Sequence, residues 1–176
     1  MYGGENSWDE SNRETATLYA ARLKHIPFSR ALFLSGSVAR GSSSSNSDID
    51  IVVVSAERYV WLHRVLLFVA LTLLGIRRTR RARAGRICIN ASVGESRLPH
   101  LLARRQALIP LWKRAYAGRS PAEFLLHYSA FACLGNHISR YFSTAYVRWR
   151  MRSKLHHPDT VIRLTTDWIE YYPPRS

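Results

Sequence analysis

The chain has 176 residues, 47% of them hydrophobic, so it is long enough for one globular domain with a sizeable core and too short for two large ones. Its 26 Lys and Arg residues against 12 Asp and Glu residues give a formal net charge of +14, which favours a phosphate-rich partner, an anionic membrane surface or an acidic protein. The first 50 residues hold six acids and five bases, whereas the remainder holds six acids and twenty-one bases. Acidic chemistry is therefore expected early in the chain and the basic surface late.

The cysteine content and the absence of targeting signals favour a reducing compartment. Cys88 and Cys133 are too few for a disulfide framework, and neither belongs to a close cluster of zinc ligands. The acidic N-terminal segment lacks the basic and then apolar pattern of a signal peptide. The one membrane candidate, residues 65–76, would extend about 18 Å as a helix, whereas the hydrocarbon core of a bilayer is about 30 Å thick. We expect a cytoplasmic protein with no spanning segment.

The first half of the chain is predicted to alternate helices and strands. In chain order the pattern gives a helix from the cap at Ser11 to just before Pro27, strands over 31–35 and 48–54, a helix over 58–76 and a strand over 86–93. Residues 77–86 hold six arginines and no acid, and because such a run repels itself we predict a loop.

Alternation in the third strand predicts two opposite faces. One face would present Ile87, Ile89 and Ala91, and the other Cys88, Asn90 and Ser92.

From residue 96 to the end the pattern predicts helices, with start signals at Ser120 and Pro158. Between residues 101 and 154, ten bases and a single acid are interleaved with aromatic residues. Such helices bind nucleic acid, or they pack their aromatic side chains in the core and expose their arginines to solvent. The organisation expected is an α/β domain at 1–95 and a basic helical region at 96–176.

The strongest chemical signal lies between residues 32 and 54. An apolar strand ends at Gly36 and Ser37, and ten residues separate Ser37 from Asp48. A glycine permits a tight turn and the close approach of a phosphate, whose oxygens Ser37 and the following N–H groups can bind. Asp48 and Asp50 are two apart on a strand and share a face. A hard cation such as Mg²⁺ takes carboxylate and phosphate oxygens together, so the pattern predicts a metal site for polyphosphate chemistry.

With its intervening residues this segment reads GSVARG and then SDIDIVVV. It resembles the signature of the polymerase-beta-like nucleotidyltransferase superfamily, minimal nucleotidyltransferase type, over about residues 20–93. The resemblance implies an α/β (α+β) fold: a small mixed sheet flanked by helices, here followed by the arginine-rich helical C-terminal region. Members of the family transfer a nucleoside monophosphate from an NTP to a hydroxyl of RNA, protein or a small molecule.

The resemblance also assigns roles to residues. Asp48 and Asp50 would be catalytic and would hold Mg²⁺ or Mn²⁺. Gly36 and Ser37 would hold the phosphates of the NTP. We further expect Arg40, which would steer the triphosphate by charge, and Ser47 to bind the nucleotide. The basic helices would then offer a platform to an RNA or acidic protein acceptor.

One departure from the family concerns the next core strand, which normally carries a third carboxylate that completes the metal site and helps to deprotonate the acceptor. Here the candidates are Cys88 and Asn90. Asn90 would be a weak metal ligand, since an amide oxygen binds Mg²⁺ weakly and is no general base near neutral pH. Glu95, just beyond the strand, could also reach in. The alternative hypothesis is a catalytically weak or inactive module that binds nucleotide or RNA, or acts as an antitoxin-like regulatory partner.

Overall fold

The computed structural model describes residues 7–104, 107–113, 130–150, 161–165 and 167–172. The helices in these ranges are α1 (Ser7–Leu23), α2 (Gly36–Ala39), α3 (Val60–Leu73), α4 (Leu98–Arg104) and α5 (Ala130–Arg150), with a 3₁₀ turn at Glu95–Arg97. The strands are β1 (Ser29–Ser35), β2 (Ile49–Ser55), β3 (Ile87–Gly94), β4 (Ile109–Lys113), β5 (Val161–Leu164) and β6 (Trp168–Tyr172).

The described strands form one six-stranded mixed sheet in the order β4-β1-β2-β3-β6-β5. Strands β2 and β3 are parallel, and the other neighbouring pairs are antiparallel. A parallel pair needs a crossover connection, and α3 supplies it between β2 and β3. The predicted mixed sheet flanked by helices is confirmed.

Each face of the sheet has its own apolar cluster. Leu34, Ile51 and Val53 face α1 and α3 and pack with Ala16, Leu67 and other buried residues of those helices. The opposite face carries Phe33, Val52 and Val54, which pack with Leu101 of α4 and with Trp168 of β6. The period-two alternation of β2 therefore buries both faces in the centre of the sheet.

Two sequence predictions are wrong. Helix α1 begins at Ser7 rather than at a cap on Ser11, and Asp9 and Glu10 in its first turn are favoured there by the helix dipole. The chain after residue 96 is not wholly helical, because β4, β5 and β6 lie in it.

The hairpin of β5 and β6 shows why the helical prediction failed. Runs of β-branched and aromatic residues, VIRL and WIEYY, flank a turn in which the Thr165 N–H donates to Trp168 O at 2.9 Å. The predicted helix starts at Ser120 and Pro158 lie outside the described residues.

Helix α5 packs on α3 through a polar contact. The Leu62 N–H donates to Asn136 Oδ1 at 3.0 Å, although Asn136 lies in a helix predicted to be basic and aromatic. In the part of the chain that the structure describes, every helix is too short or too polar to cross a membrane.

Candidate active site

Asp48 and Asp50 lie where β2 begins, in the middle of the sheet. Asp48 directly precedes the strand, and Asp50 pairs with Ser35 at the end of β1 and with Cys88 near the start of β3. Both aspartates are half-buried. Carboxylate oxygens of the two aspartates and the Cys88 sulfur all lie within 4.8 Å of one another. The structure thus gathers two carboxylates and a thiol from two neighbouring strands.

Gly36 packs directly against Asp50. Its φ of +74° lies in the left-handed region, and a Cβ built on it would overlap Asp50 Oδ2. Glycine is the one residue that fits this position without strain and without a clash. The glycine of the sequence motif therefore allows a close contact between the end of β1 and the start of β2.

The other predicted nucleotide-binding residues lie on the loop between these strands. Ser37 is half-buried in α2, and its carbonyl accepts a hydrogen bond from the Ser42 N–H at 3.0 Å. Arg40 is exposed. Ser47 is half-buried, and its Oγ accepts a hydrogen bond from the Ser44 N–H at 2.9 Å. Ser37, through its carbonyl, and Ser47, through its hydroxyl, therefore accept hydrogen bonds from within the loop, whereas Arg40 is exposed to solvent.

Asp9 anchors this loop from α1, and sequence reasoning missed it. Asp9 is fully buried, and its Oδ1 accepts the Ser43 N–H at 2.9 Å. Hydrogen bonding from Ser43 holds the pKa of Asp9 below its usual value, against the opposing effect of burial. The contact joins residues 34 apart, and an acid in the first turn of a helix gives no signal of a loop partner.

The prediction of two opposite faces on β3 is confirmed only as far as Ile89. Ile89 pairs with Ile51, but Ala91 pairs with Val52, so Asn90 is the extra residue of a bulge. Ile87 and Ile89 accordingly pack toward α1 and α3, whereas Ala91 packs with Val52 on the opposite face. Cys88 keeps its predicted place beside Asp50. The assignment of Asn90 as a metal ligand stays a prediction.

Glu95 does not reach the aspartates. It follows the far end of β3, seven residues beyond Cys88, which at about 3.3 Å per residue is roughly 23 Å along the strand. Its carboxylate lies 3.4 Å from Nε of Arg30. The expectation that it could complete the site is wrong because the strand runs away from the aspartates.

Cys88 lies beside Asp50 on β3, the strand on which the family resemblance implies a third acid, and its thiol is a poor base. Burial first, and then the charge of Asp50, raise the pKa of Cys88 to about 12. Near neutral pH the group is an uncharged thiol, which neither accepts a proton from an acceptor hydroxyl nor adds negative charge.

Arg78 is the second residue that sequence reasoning missed. Its Nη1 lies 2.7 Å from Asp48 Oδ2 and 3.7 Å from Cys88 Sγ. It belongs to the arginine run predicted to be a self-repelling loop, and the run is indeed neither helix nor strand over most of its length. Arg78 nonetheless turns toward the aspartates, because the paired carboxylates attract a cation.

The donor set fits a hard divalent cation through its two carboxylates. Asp48 and Asp50 present oxygens, which Mg²⁺ and Mn²⁺ prefer, close enough together to share one ion. The third member of the group is a soft sulfur donor and is a poorer match for such an ion. The arrangement can bind a metal at two points and leaves the rest of its coordination to water or to a ligand.

Comparison with known proteins matches residues 20–85 to the family model of the nucleotidyltransferase domain. This segment contains Gly36, Asp48, Asp50 and Arg78. Over these residues the chain is similar to a nucleotidyltransferase domain. The resemblance to the polymerase-beta-like superfamily, stated from GSVARG and SDIDIVVV, is thereby confirmed. The matched segment includes β1, β2 and both aspartates, whereas Cys88 lies just beyond it.

No curated protein sequence matches the chain. Among solved structures, it is similar to a candidate nucleotidyltransferase from Sulfolobus solfataricus at 19% identity and a TM-score of 0.41, covering 67% of this chain and 97% of that one. A toxin–antitoxin structure with AMP-PNP aligns at 18% identity and a TM-score of 0.36, covering 79% and 95%. A mutant of the toxin–antitoxin pair MntA–HpeT aligns at 18% and 0.36, covering 78% and 95%.

Proposed function

We propose that this protein is a Mg²⁺- or Mn²⁺-dependent nucleotidyltransferase of the cytoplasm, which transfers a nucleoside monophosphate from an NTP to a hydroxyl. One observation carries the proposal: Gly36, at the end of β1, is packed against Asp50, and Asp48 and Asp50 share a site within a domain of this family. A phosphate chain that approaches the Gly36 turn would lie beside both carboxylates. This is the arrangement that polyphosphate chemistry requires.

The residues of the chain would act mainly by positioning and by charge. A bound divalent ion would supply charge neutralisation on the phosphate oxygens. Asp48 and Asp50 would hold that ion, the phosphates would lie at the turn that begins with Gly36, and exposed Arg40 would attract the triphosphate. The acceptor hydroxyl then attacks the α-phosphorus in line, the bond to the β-phosphate oxygen breaks, and pyrophosphate leaves.

The acceptor is a hydroxyl of RNA, of a protein or of a small molecule. The formal charge of +14 favours RNA or an acidic protein. Helix α5 supports a macromolecular acceptor, because it exposes Tyr141, Phe142 and Trp149 together with Arg140 and Arg148. Aromatic and cationic side chains on one helix can stack bases and bind phosphates.

Two substitutions test the proposal in a transfer assay. We expect Asp48→Asn and Asp50→Asn to lower the transfer of an α-phosphate radiolabel to RNA or lysate protein by at least about a hundredfold, the usual effect of losing an electrostatic contact to the transition state. Both variants should remain folded, since the amide keeps the shape of the carboxylate. Asp48→Asn should unfold at a somewhat lower temperature than Asp50→Asn, because it also weakens the ion pair with Arg78. The matched control is Asp167→Asn, which removes an ion pair with Arg97 at 2.6 Å outside the site. Wild-type activity in a folded Asp50→Asn variant would refute the assignment.

A second function is favoured by the thiol at Cys88. Without a third carboxylate, the domain would bind nucleotide but turn it over weakly or not at all. NTP binding that needs both a divalent ion and Asp50, with no labelled acceptor, would identify a nucleotide-binding module. RNA binding that falls steeply with salt and is indifferent to Asp50 would instead identify a basic RNA-binding module.

A further inference from the structure

The guanidinium of Arg78 lies among the groups that would hold a divalent ion. Its Nη1 is 2.7 Å from Asp48 Oδ2 and 3.7 Å from Cys88 Sγ. Asp48 and Cys88 belong, with Asp50, to the cluster whose ligating atoms lie within 4.8 Å of one another. A cation of the chain itself is thus already at the place where the metal would be bound.

The backbone keeps Arg78 at the site. Its N–H donates to Ile87 O at 2.9 Å, and the Ile87 N–H donates to Ile76 O at 2.9 Å. These bonds attach the beginning of the arginine loop to the beginning of β3, next to Cys88. If the guanidinium leaves the carboxylates, it does so by rotation of its side chain, and it stays within reach of whatever replaces it.

The charges at the site explain why the guanidinium is held there. Two half-buried carboxylates repel each other unless a cation lies between them. A guanidinium keeps its positive charge throughout the pH range of a folded protein. A divalent ion placed a few ångströms from Arg78 would therefore be repelled by it.

We propose that Arg78 is an internal cation that occupies the metal site of the ligand-free protein and that a divalent ion must displace it. This proposal rests on the assignment of Asp48 and Asp50 as metal ligands under the proposed function. It makes Arg78 a residue that controls metal occupancy. The guanidinium, freed from Asp48, would become available to the phosphates of a nucleotide bound with the ion.

Metal binding without nucleotide tests this directly. We expect Arg78→Met to bind Mn²⁺ about tenfold or more tightly than the wild type, which is within the usual range of coupling between two binding events. Electron paramagnetic resonance titration of the full chain measures this affinity. Arg78→Lys keeps the charge and should stay near the wild-type affinity. The matched control is Arg81→Met on the exposed part of the same loop, which should change nothing. Adding Asp50→Asn to Arg78→Met should abolish the gain.

The outcomes separate this inference from the proposed function. Equal or weaker Mn²⁺ binding by folded Arg78→Met, or a gain that survives Asp50→Asn, overturns the role of Arg78. Tighter binding by Arg78→Met, together with no nucleotidyl transfer by the wild-type protein, supports that role and counts against the enzyme. If Arg78→Met does not fold, the wild-type protein can be titrated with Mg²⁺ while the NMR signals of its arginine side chains are recorded. We expect the signal of one guanidinium to shift as the ion binds. The absence of any shift at saturating Mg²⁺ would overturn the proposal.

Discussion

Among single residues, the contact between Gly36 and Asp50 joins the turn at the end of β1 to the proposed metal site. The glycine combines a left-handed backbone, with a φ of +74°, and a side that faces a carboxylate oxygen. A methyl group there would both strain the backbone and push Asp50 out of place. The two effects can be separated, because Gly85 has a similar φ of +63° and no atom within 4 Å of its virtual Cβ.

We predict that Gly36→Ala loses most metal binding and transfer, whereas Gly85→Ala does not. Both variants should lose about 1–2 kcal/mol of stability, because an L residue is disfavoured in the left-handed region. Gly36→Ala should lose more than that, since Asp50 must also move. Chemical unfolding and a Mn²⁺ titration of the two variants measure the difference. Equal behaviour of the two variants would mean that the contact with Asp50 has no functional consequence.

The residue scale also shows what the sequence could and could not predict about the site. Asp48, Asp50, Gly36 and Ser37 were identified from a local motif, because their spacing is short and each residue type has a specific chemistry. Arg78 and Asp9 were missed, because their partners lie 30 and 34 residues away along the chain. An arginine in a basic run and an acid in a helix look like solvated residues until the fold brings their partners to them.

At the scale of elements, a buried histidine fastens α3 to the sheet. His63 is fully buried; its Nε2 lies 2.8 Å from Ser29 Oγ on β1, and its Nδ1 lies 2.6 Å from Ser55 Oγ on β2. Burial, and secondarily the charge of Arg30, lower the pKa of His63 to about 3. The crossover helix is therefore held by a neutral imidazole.

A pH dependence of stability follows from this histidine. His63 is neutral in the folded protein and titrates near its ordinary pKa of 6.5 once unfolded, so the unfolded state takes up a proton that the folded state refuses. Stability is complete above that value and is lost as the pH falls from 6.5 toward about 3. We expect His63 to contribute a loss of about 2 kcal/mol between about pH 7.5 and about pH 5, at about 1.4 kcal/mol per unit of pKa difference.

Urea unfolding of two matched variants at these pH values isolates the effect. His63→Gln should lack this part of the pH dependence, while His100→Gln, at an exposed position, should keep it. An unchanged pH dependence in His63→Gln would show that the histidine is protonated in the folded state as well.

The elements also differ in how far the sequence predicted them. Strands β1 and β2 follow from apolar, β-branched runs, and their observed ends lie within two residues of the predicted ones. In β3 the sequence pattern predicts regular alternation of the side chains, but the bulge at Asn90 reverses the two faces beyond that residue. A bulge is set by pairing with the neighbouring strand, and the pattern of one strand alone does not contain that information.

At the scale of the whole molecule, the edges of the motif-bearing sheet are covered by later parts of the chain. Strand β4 pairs with β1, and β6 pairs with β3. Ile169 of β6 is fully buried against Val60 and Trp61, and the indole N–H of Trp61 donates to Thr165 O at 3.0 Å. The predicted boundary after residue 95 thus falls between β3 and the segments that complete the sheet.

These pairings explain why the sequence pattern did not predict β4, β5 and β6. A short strand at a sheet edge is stabilised by its neighbour, and the sequence patterns of β4, β5 and β6 are too short to indicate a partner. The helix at α5 was predictable, because its 21 residues carry a sustained helical pattern. Long periodic elements and local motifs were therefore found, and short elements that depend on distant pairing were not.

In the proposed reaction, the site directs attack at the α-phosphorus of an NTP. The most direct measurement compares two reactions with Mg²⁺ or Mn²⁺ and the same acceptor preparation, one with the radiolabel at the α-phosphate and one at the γ-phosphate. We predict that the acceptor gains the α label, that the γ label leaves in pyrophosphate, and that Asp50→Asn abolishes both. Transfer of the γ label to the acceptor, or release of orthophosphate with no labelled acceptor, would contradict it.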